Sequence, residues 1–258
     1  MTQTSQETAS YEVLGRTIGL PVQVRRAAQW GVQYLVPAAA AQRIVDPTGL
    51  EVTGPLPGRA LLALAVCRYD DTDLDAYHEV AVSFVVRRHD APRGVSAARR
   101  LREFGSGDIG AYIHRLPVDQ EFTCAAGRDV WGYPKWITTI DIDEPAPGGA
   151  RGTGTTVRLV DDGVHALTLT MAAGGPIKLP SQAPPSYSFR DGVLRRTPWV
   201  TSSEGVTGRF GGATLVLGDH PVADELRSLG LPKRALFTSH AAQMQATFGA
   251  AEVVTTGG

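Results

Sequence analysis

The sequence predicts an α+β fold built mainly on antiparallel sheet, as an open sheet or open barrel with a few helices. The first observation is the number of short segments rich in β-branched and aromatic residues, about ten, against two or three segments with helical character. The second is the brevity of the connections, which leaves no room for successive βαβ crossovers. The third is the absence of an internal repeat or a sharp internal boundary. We therefore expect a disordered leader over residues 1–10 and a single domain over residues 11–258.

The strand predictions rest on two patterns. Residues 28–37 alternate apolar and polar side chains, as a half-buried strand does, whereas residues 59–68 form the continuous apolar run typical of a buried central strand. Asp161-Asp162-Gly163 and Asp191-Gly192 each lie between two such segments and predict tight hairpin turns. The predicted strands are residues 28–37, 50–52, 59–68, 76–88, 109–116, 137–143, 155–160, 165–171, 188–193, 194–200 and 215–217.

The helix predictions rest on propensity and on end signals. Residues 38–44 form one or two helical turns that stop at Asp46-Pro47-Thr48-Gly49, and residues 121–129 have helical propensity. Residues 219–229 begin with a capping aspartate followed closely by a proline, which predicts a third helix. The remaining segments are predicted as an acidic loop (70–75), an arginine-rich helix or loop tail (95–104), a proline-rich irregular stretch (174–187) and a final extended, partly helical stretch (237–254).

The composition excludes several classes of protein. The net charge of -1 and the charged fraction of 20% give no reason to expect a nucleic-acid partner or an anionic membrane surface. No window approaches eighteen consecutive apolar residues, and the N-terminus lacks the pattern of a signal peptide. Cys67 and Cys124 lie in apolar segments, as buried free thiols do. We therefore expect a cytoplasmic protein.

The polar motifs do not predict a metal or cofactor site. The six histidines show no zinc-like pairing, and His78 and Glu79 are adjacent, so that in a strand they point to opposite faces. Gly152-Thr153-Gly154 precedes a strand, where a dinucleotide loop would precede a helix. Ser239-His240 lacks the glycine elbow of a serine hydrolase, and the acidic loop lacks the glycine of a calcium loop. We expect no metal and no cofactor.

Lys135 is the most informative residue. It is one of three lysines among 25 basic residues, and it follows a Gly-Tyr-Pro turn and begins a predicted strand. Trp131, Tyr133 and Trp136 surround it in the sequence. An ammonium group between aromatic side chains loses hydration, which favours the neutral, nucleophilic amine. A lysine near aromatic residues is also commonly a surface residue with a buried stem, so the pattern alone leaves both interpretations open.

The segment around Lys135 resembles a known family. Gly127-Arg128-Asp129 followed by Gly132-Tyr133-Pro134-Lys135 resembles the signature of the acetoacetate decarboxylase superfamily, in which the lysine forms a Schiff base with a keto substrate. The likeness spans nearly the whole chain, including 41–52 and 217–258. It implies the acetoacetate decarboxylase-like fold and a homo-oligomer that assembles through its sheets. The resemblance therefore implies a lyase that acts on a small keto acid or ketone.

The same resemblance implies a second catalytic residue. Tyr77-His78-Glu79 is similar to the Tyr-x-Glu segment of the family, whose glutamate faces the lysine, so Glu79 is predicted to be the proton shuttle. Tyr133, Trp136, Arg128 and Trp131 are predicted to contact the substrate, with Tyr133 as a hydrogen-bond partner or pocket wall.

Two departures from the family pattern concern the substrate. Trp136 stands where acetoacetate decarboxylase has a second lysine, which predicts a more apolar site and a bulkier ketone. A rough register places Ala28 at the position of the family's pocket arginine and a non-acidic residue of 60–63 at that of a further glutamate. Arg25, Arg26 or Arg128 is a candidate substitute for the missing arginine. These departures favour a substrate other than acetoacetate.

Three functions are compatible with the sequence. The leading prediction is decarboxylation of a β-keto acid through an imine on Lys135, since the protonated imine accepts the electrons released when carbon dioxide leaves. The second is an aldolase-dehydratase or cyclase that uses the same lysine on a 2-keto acid. The third is a small-molecule-binding protein without catalysis. The lysine by itself does not select among them.

Overall fold

A computed structural model describes residues 9–88, 109–145, 154–172, 174–179 and 183–254 of the chain. The helices are α1 (Ala38–Val45), α2 (Glu121–Trp131) and α3 (Pro221–Ser228), with a 3₁₀ turn at Asp46–Thr48. The strands are β1 (Ser10–Val13), β2 (Arg16–Gly19), β3 (Val22–Pro37), β4 (Leu50–Val52), β5 (Arg59–Thr72), β6 (Tyr77–Arg88), β7 (Ile109–Val118), β8 (Lys135–Ile137), β9 (Thr139–Asp143), β10 (Gly154–Asp161), β11 (Val164–Ala172), β12 (Ile177–Lys178), β13 (Ser186–Arg190), β14 (Val193–Thr197), β15 (Trp199–Glu204), β16 (Thr207–Phe210), β17 (Ala213–Leu217), β18 (Phe237–Phe248) and β19 (Glu252–Val253).

One large sheet organises these elements. Its strands follow the order β12-β16-β18-β3-β5-β6-β7-β13-β14-β19, with β15 paired to β18, β4 to β6 and β8 to β7. The pairings are antiparallel except that β7 runs parallel to both β8 and β13. A second sheet has the order β17-β11-β10-β9, and β1 and β2 form a separate hairpin. The sheets are open and do not close into a barrel.

The long central strands bury both faces, because alternate side chains of a strand point in opposite directions. The first face carries large residues that pack against the four-stranded sheet, α1 and α3. The second face packs against α2 and the β1-β2 hairpin. The first core includes Trp30, Val32, Tyr34, Leu62, Leu64, Val66, Val80, Val82 and Phe84. The second face holds the candidate site.

The structure confirms the predicted fold class, a mostly antiparallel α+β fold with few helices. It also contains both predicted hairpin turns. Asp162 and Gly163 have φ values of 48° and 79°, and Asp191 and Gly192 have values of 54° and 74°. Two successive residues in the left-handed region match the right-handed twist of the flanking strands, which is why Asp-Gly is favoured there.

Several element boundaries differ from the sequence predictions. β3 begins at Val22, six residues before its predicted start, since a bulge between Val24 and Ala27 interrupts the alternation that marks a strand. β5 extends through Thr72 into the predicted acidic loop, where pairing with β3 offsets the poor strand propensity of aspartate. Residues 137–143 form two strands, β8 and β9, which belong to different sheets.

The other differences lie near the C-terminus. The cap of α3 is His220, whose Nδ1 accepts a hydrogen bond from the Val222 backbone N–H at 3.2 Å, and not the predicted Asp219. The predicted strand 194–200 divides at Pro198 into β14 and β15. Residues 237–254 are extended without the predicted helical part, because β18 pairs with β3 along most of its length. Ser10 already belongs to β1, whereas residues 1–8 of the predicted leader and the predicted segment 95–104 lie outside the described residues.

Among the residues that the structure describes, no helix combines the length and the apolar character that crossing a membrane requires.

Candidate active site

Two local features position Lys135: the sharp end of α2 and the pairing of the next strand, β8, with β7. Gly132 ends α2 with φ of 66°, a left-handed conformation that glycine adopts without strain, and its N–H donates to the Arg128 carbonyl. The Tyr133 N–H donates to the Gly127 carbonyl at 2.9 Å. β8 then pairs with β7, with Lys135 opposite Leu116. This turn brings the Lys135 side chain next to the helix that precedes it.

The aliphatic part of Lys135 lies directly against Gly127. A Cβ atom added at Gly127 would stand 2.5 Å from Cδ and 2.6 Å from Cε of Lys135, well inside van der Waals contact. Gly127 is in the middle of α2, where glycine is unfavourable relative to alanine by about 1 kcal/mol. The glycine thus provides the space that the lysine side chain occupies.

The amino group of Lys135 lies close to Glu79, Thr123 and Tyr77. Its Nζ atom lies 2.8 Å from Oε2 of Glu79, donates to Oγ1 of Thr123 at 3.3 Å, and stands 5.0 Å from the ring centroid of Tyr77. The side chains of Lys135 and Glu79 are only 4% and 12% exposed. A buried charge pair persists only when the two charges meet closely and find further hydrogen bonds. Lys135 and Glu79 meet closely, and Lys135 makes the further hydrogen bond to Thr123.

Lys135 opens into a cavity of about 280 Å³ on the second face of the large sheet. This volume is close to the ~300 Å³ at which small-molecule pockets begin. The lining is mostly apolar or aromatic, and Lys135 and Glu79 are the only charged side chains among the described residues that form it. The polar lining residues are Gln29, Gln33, Thr72, Tyr69, Tyr77, Ser83, Tyr133 and Ser186.

Tyr133 and Trp131, both predicted to contact the substrate, line the cavity. The Tyr133 hydroxyl lies 2.6 Å from Oγ of Ser186, and burial raises the pKa of Tyr133 to about 12 although the hydrogen bond with Ser186 opposes the shift. The phenol is therefore neutral near pH 7. Trp131 donates its indole N–H to the Gly249 carbonyl at 2.8 Å, so its ring is fixed in the cavity wall.

Trp136 and Arg128 lie elsewhere than predicted. Trp136 follows Lys135 in β8 and therefore points to the opposite side. It packs against the first core and donates its indole N–H to Oδ2 of Asp161 at 3.0 Å. Arg128 donates from Nε to the Lys135 carbonyl at 2.6 Å. Neither side chain is among the residues that line the cavity. Arg128 instead holds the backbone of the lysine.

The candidate replacements for the family's pocket arginine also lie outside the cavity. Arg25 pairs with Asp71 and Asp73, and the Arg26 side chain is 69% exposed. Ala28 belongs to the first core, and the neighbouring Gln29 faces the cavity. The bulge in β3 between Val24 and Ala27 shifts the side-chain alternation, so that Gln29 and not Ala28 points to the second face of the sheet.

Sequence reasoning missed Thr123 and assigned no role to Tyr77. Thr123 is completely buried on α2, four residues before Gly127, and this spacing places both on the helix face that meets Lys135. Tyr77 stacks on Tyr69 at a centroid separation of 4.4 Å. Burial, reinforced by the charge of Glu79, raises the pKa of Tyr77 well above its usual range. The i, i+4 spacing of Thr123 and Gly127 was the available signal.

Both cysteines are free and buried, as predicted. Cys67 lines the cavity beside Glu79, its partner on the adjacent strand. Burial and the charge of Glu79 raise the pKa of Cys67 to about 12. The thiol is therefore protonated and weakly nucleophilic at neutral pH. Within the described part of the chain, no three histidine, cysteine, aspartate or glutamate side chains are grouped as metal ligands.

The structure thus combines an open, mostly antiparallel sheet with a buried lysine–carboxylate pair that faces a mostly apolar cavity. The sequence model of the family described as acetoacetate decarboxylase (ADC) matches residues 17–256. The chain belongs to the acetoacetate decarboxylase family, whose members are lyases. Comparison with curated protein sequences gave no match.

Several solved structures share the fold. An acetoacetate decarboxylase from Legionella pneumophila has a TM-score of 0.69 and 16% identity, with coverage of 91% of this chain and 87% of that one. The enduracididine biosynthesis enzyme MppR complexed with pyruvate has a TM-score of 0.67 and 17% identity, with 91% and 90% covered. An acetoacetate decarboxylase-like enzyme from Sphingomonas wittichii RW1 has a TM-score of 0.67 and 17% identity, with 92% and 94% covered.

Proposed function

We propose that this protein is a Schiff-base-forming lyase that decarboxylates a β-keto acid through an imine on Lys135. The observation that carries the proposal is the buried contact of 2.8 Å between Lys135 Nζ and Glu79 Oε2 at the wall of an apolar cavity. Glu79 is close enough to take a proton from the ammonium group and leave the amine that attacks a ketone. A single pair thus supplies the nucleophile and the proton shuttle.

The proposed cycle uses Glu79 in both directions. Neutral Lys135 adds to the ketone carbon, and the hydroxyl group of the adduct takes a proton from Glu79 and leaves as water. The resulting iminium ion accepts the electron pair of the bond between the α-carbon and the carboxylate, so carbon dioxide departs and an enamine forms. Glu79, which has taken a new proton from solvent, donates it to the enamine carbon and regenerates the iminium ion. Water then hydrolyses it to the ketone product and free Lys135.

The charge of the cavity favours decarboxylation over retention of a carboxylate. Lys135 is the one positive side chain among the described lining residues, and Glu79 lies beside it. A carboxylate in such surroundings has little compensation for its lost hydration. Loss of carbon dioxide disperses that negative charge, so the apolar walls disfavour the bound β-keto acid more than its transition state.

Borohydride trapping with mass spectrometry tests the proposal. Incubation with acetoacetate or a longer 3-oxo acid and borohydride should give one reduced adduct, located on Lys135, and the untrapped enzyme should release carbon dioxide. Lys135→Ala should abolish both signals. The matched control is Lys178→Ala, which removes an exposed lysine outside the cavity and should leave both unchanged. Binding without adduct or turnover would instead identify a binding protein without catalysis.

A second candidate function is aldol addition with dehydration, or cyclisation, on a 2-keto acid. It is favoured by the fold shared with MppR, one structure of which holds the condensation product of pyruvate and imidazole 4-carboxaldehyde, at a TM-score of 0.66 and 16% identity. The same imine would form, and loss of a proton in place of carbon dioxide would give the enamine. Condensation of pyruvate with aldehydes, measured beside carbon dioxide release from 3-oxo acids, distinguishes the two reactions.

We also propose a cellular location and an oligomeric state for this protein. We place it in the cytoplasm, where free thiols such as Cys67 and Cys124 remain reduced, and cell fractionation tests this location. We expect a homo-oligomer, as in the family. Sedimentation should therefore give a mass that is a multiple of 27.4 kDa, and a monomer at micromolar concentration would contradict it.

A further inference from the structure

The cavity beside Lys135 has a floor of unusually small side chains. The register of the sheet aligns Gln29, Cys67 and Glu79 in one row across β3, β5 and β6. Two residues farther along the strands, about 7 Å away, Ala65 and Ala81 are paired. Beyond them a third row pairs Ala63 with Ser83. We define the floor by its members that line the cavity: Ala63, Ala65, Ala81, Ser83 and Ala111.

Along β5 and β6, the small residues of the floor alternate with larger ones. The residues between them in sequence, which point to the first core, are large: Leu62 and Leu64 on β5, and Val82 and Phe84 on β6. The same strands therefore fill one side completely and leave volume on the other. Because protein interiors are otherwise packed without large voids, this volume is available to a ligand.

Another part of the cavity wall is aromatic. Trp199 stacks on Phe248 at a centroid separation of 5.2 Å, and Trp131 meets Phe248 edge-on at 6.2 Å. All three line the same cavity as the floor. The space between floor and wall carries no charged side chain in the described lining apart from Lys135 and Glu79. It is suited to an apolar group attached to the ketone that Lys135 attacks.

We propose that the preferred substrate is a 3-oxo acid whose ketone carries an apolar substituent of several carbons, held between the small-residue floor and the aromatic wall. This inference rests on the proposed function, since it assumes that Lys135 forms the imine. The reacting carbonyl lies at the row of Glu79, and the substituent extends over Ala65 and Ala81. Acetoacetate, whose ketone carries only a methyl group, leaves this space empty.

A chain-length series tests the proposal. Enzyme-dependent carbon dioxide release is measured for 3-oxobutanoate, 3-oxohexanoate and 3-oxooctanoate, with Lys135→Ala as the blank for spontaneous decarboxylation. We expect kcat/KM to rise by about fourfold per methylene group until the cavity is full. Borohydride trapping of acetone and 2-heptanone gives a readout that does not need decarboxylation, and 2-heptanone should reach half-maximal labelling of Lys135 at the lower concentration.

A variant connects the preference to the floor. Ala65→Leu should lower the ratio of kcat/KM for 3-oxooctanoate to that for 3-oxobutanoate by tenfold or more, on the order of the loss of two methylene contacts. Ala65→Val gives a smaller decrease and replaces Ala65→Leu if circular dichroism shows that the latter is unfolded. The matched control is Ala39→Leu, an exposed residue of α1, which should leave the ratio unchanged.

The outcomes separate this inference from the proposed function. A Lys135 adduct together with a flat or falling chain-length series, or an unchanged ratio in a folded Ala65 variant, overturns the apolar substituent and retains the lysine chemistry. No adduct with any ketone and no carbon dioxide release from any 3-oxo acid overturns both. Equal labelling by acetone and 2-heptanone also contradicts the inference.

Discussion

Position 127 has no room for a side chain, because the aliphatic part of Lys135 lies where a Cβ atom of residue 127 would be. Gly127→Ala should displace the lysine or α2 and lower kcat/KM by about a hundredfold, the effect expected of a displacement of about 1 Å in a catalytic group. The higher helix propensity of alanine, worth about 1 kcal/mol, offsets part of the loss of stability caused by the overlap. Steady-state kinetics and thermal denaturation measure the two effects.

The matched control for Gly127→Ala is Gly19→Ala. An added Cβ at Gly19 meets no atom within 4 Å, so the same change in backbone freedom occurs without overlap. Gly19→Ala should keep the kcat/KM of the wild type. If Gly127→Ala also kept full activity, the close packing of glycine and lysine would have no role in orienting the amine.

At the scale of elements, Glu225 fixes α3 to β7. Its carboxylate lies 2.8 Å from Nε2 of His114 and 2.9 Å from Nη2 of Arg115. Burial raises the pKa of Glu225, but the hydrogen bonds and charges of His114 and Arg115 outweigh this effect and lower the pKa to about 2. A lowered pKa means that the stabilisation is complete above the ordinary value of about 4.5 and is lost as pH falls towards 2.

Glu225→Gln should therefore lower the free energy of unfolding by about 2 kcal/mol at pH 7, the range found for hydrogen bonds to charged groups. The difference from the wild type should shrink between about pH 4.5 and pH 2, as wild-type Glu225 becomes protonated. Urea denaturation across this pH range measures it. Asp224→Asn is the control, since Asp224 is 68% exposed and its ion pair, with Arg227, lies within α3. A pH-independent difference would contradict the assignment.

At the scale of the whole molecule, the two faces of the large sheet have different roles. One face packs the first core, which stabilises the fold, and the other lines the cavity that holds Lys135. Leu64 is completely buried in the first core, whereas its neighbours Ala63 and Ala65 line the cavity. Leu64→Ala should cost about 2 to 5 kcal/mol of unfolding free energy, as large-to-small core substitutions do. The yield of the borohydride adduct per folded molecule should stay at the wild-type value.

Leu56→Ala makes the same substitution at a residue that is 51% exposed, and it should change the melting temperature little. Calorimetry and trapping at 15 °C give the two readouts. An adduct yield that falls in proportion to stability, with the protein still folded, would show that the two faces are coupled.

Much of the fold could be predicted from the sequence, because turns and helix ends depend on local residue patterns. The Asp-Gly turns at 162–163 and 191–192 specify their own backbone conformation, and the helix 38–44 was predicted to within one residue of its end. Lys135 and Glu79 are far apart in the chain, and no local pattern connects them. Their contact was therefore predicted only from the resemblance to a family. Their catalytic roles remain proposals.

The directions in which individual side chains point were harder to predict from the sequence. Trp136 was predicted to make the site apolar, yet it packs in the first core, and the apolar character of the cavity comes from Ala65, Ala81 and the aromatic wall. Arg128 was predicted to meet the substrate and instead binds the backbone of Lys135. A local pattern does not specify which partner a long side chain reaches.

The sequence by itself determined the strand-rich fold class, the tight turns and the lysine segment, because each depends on residues close together in the chain. Only the tertiary structure decided that Gln29 and not Ala28 faces the cavity, that Thr123 contacts the amine and that small residues form a floor beside it. The physical reason is that a bulge reverses the alternation of a strand, and that empty volume exists only between elements that have already packed.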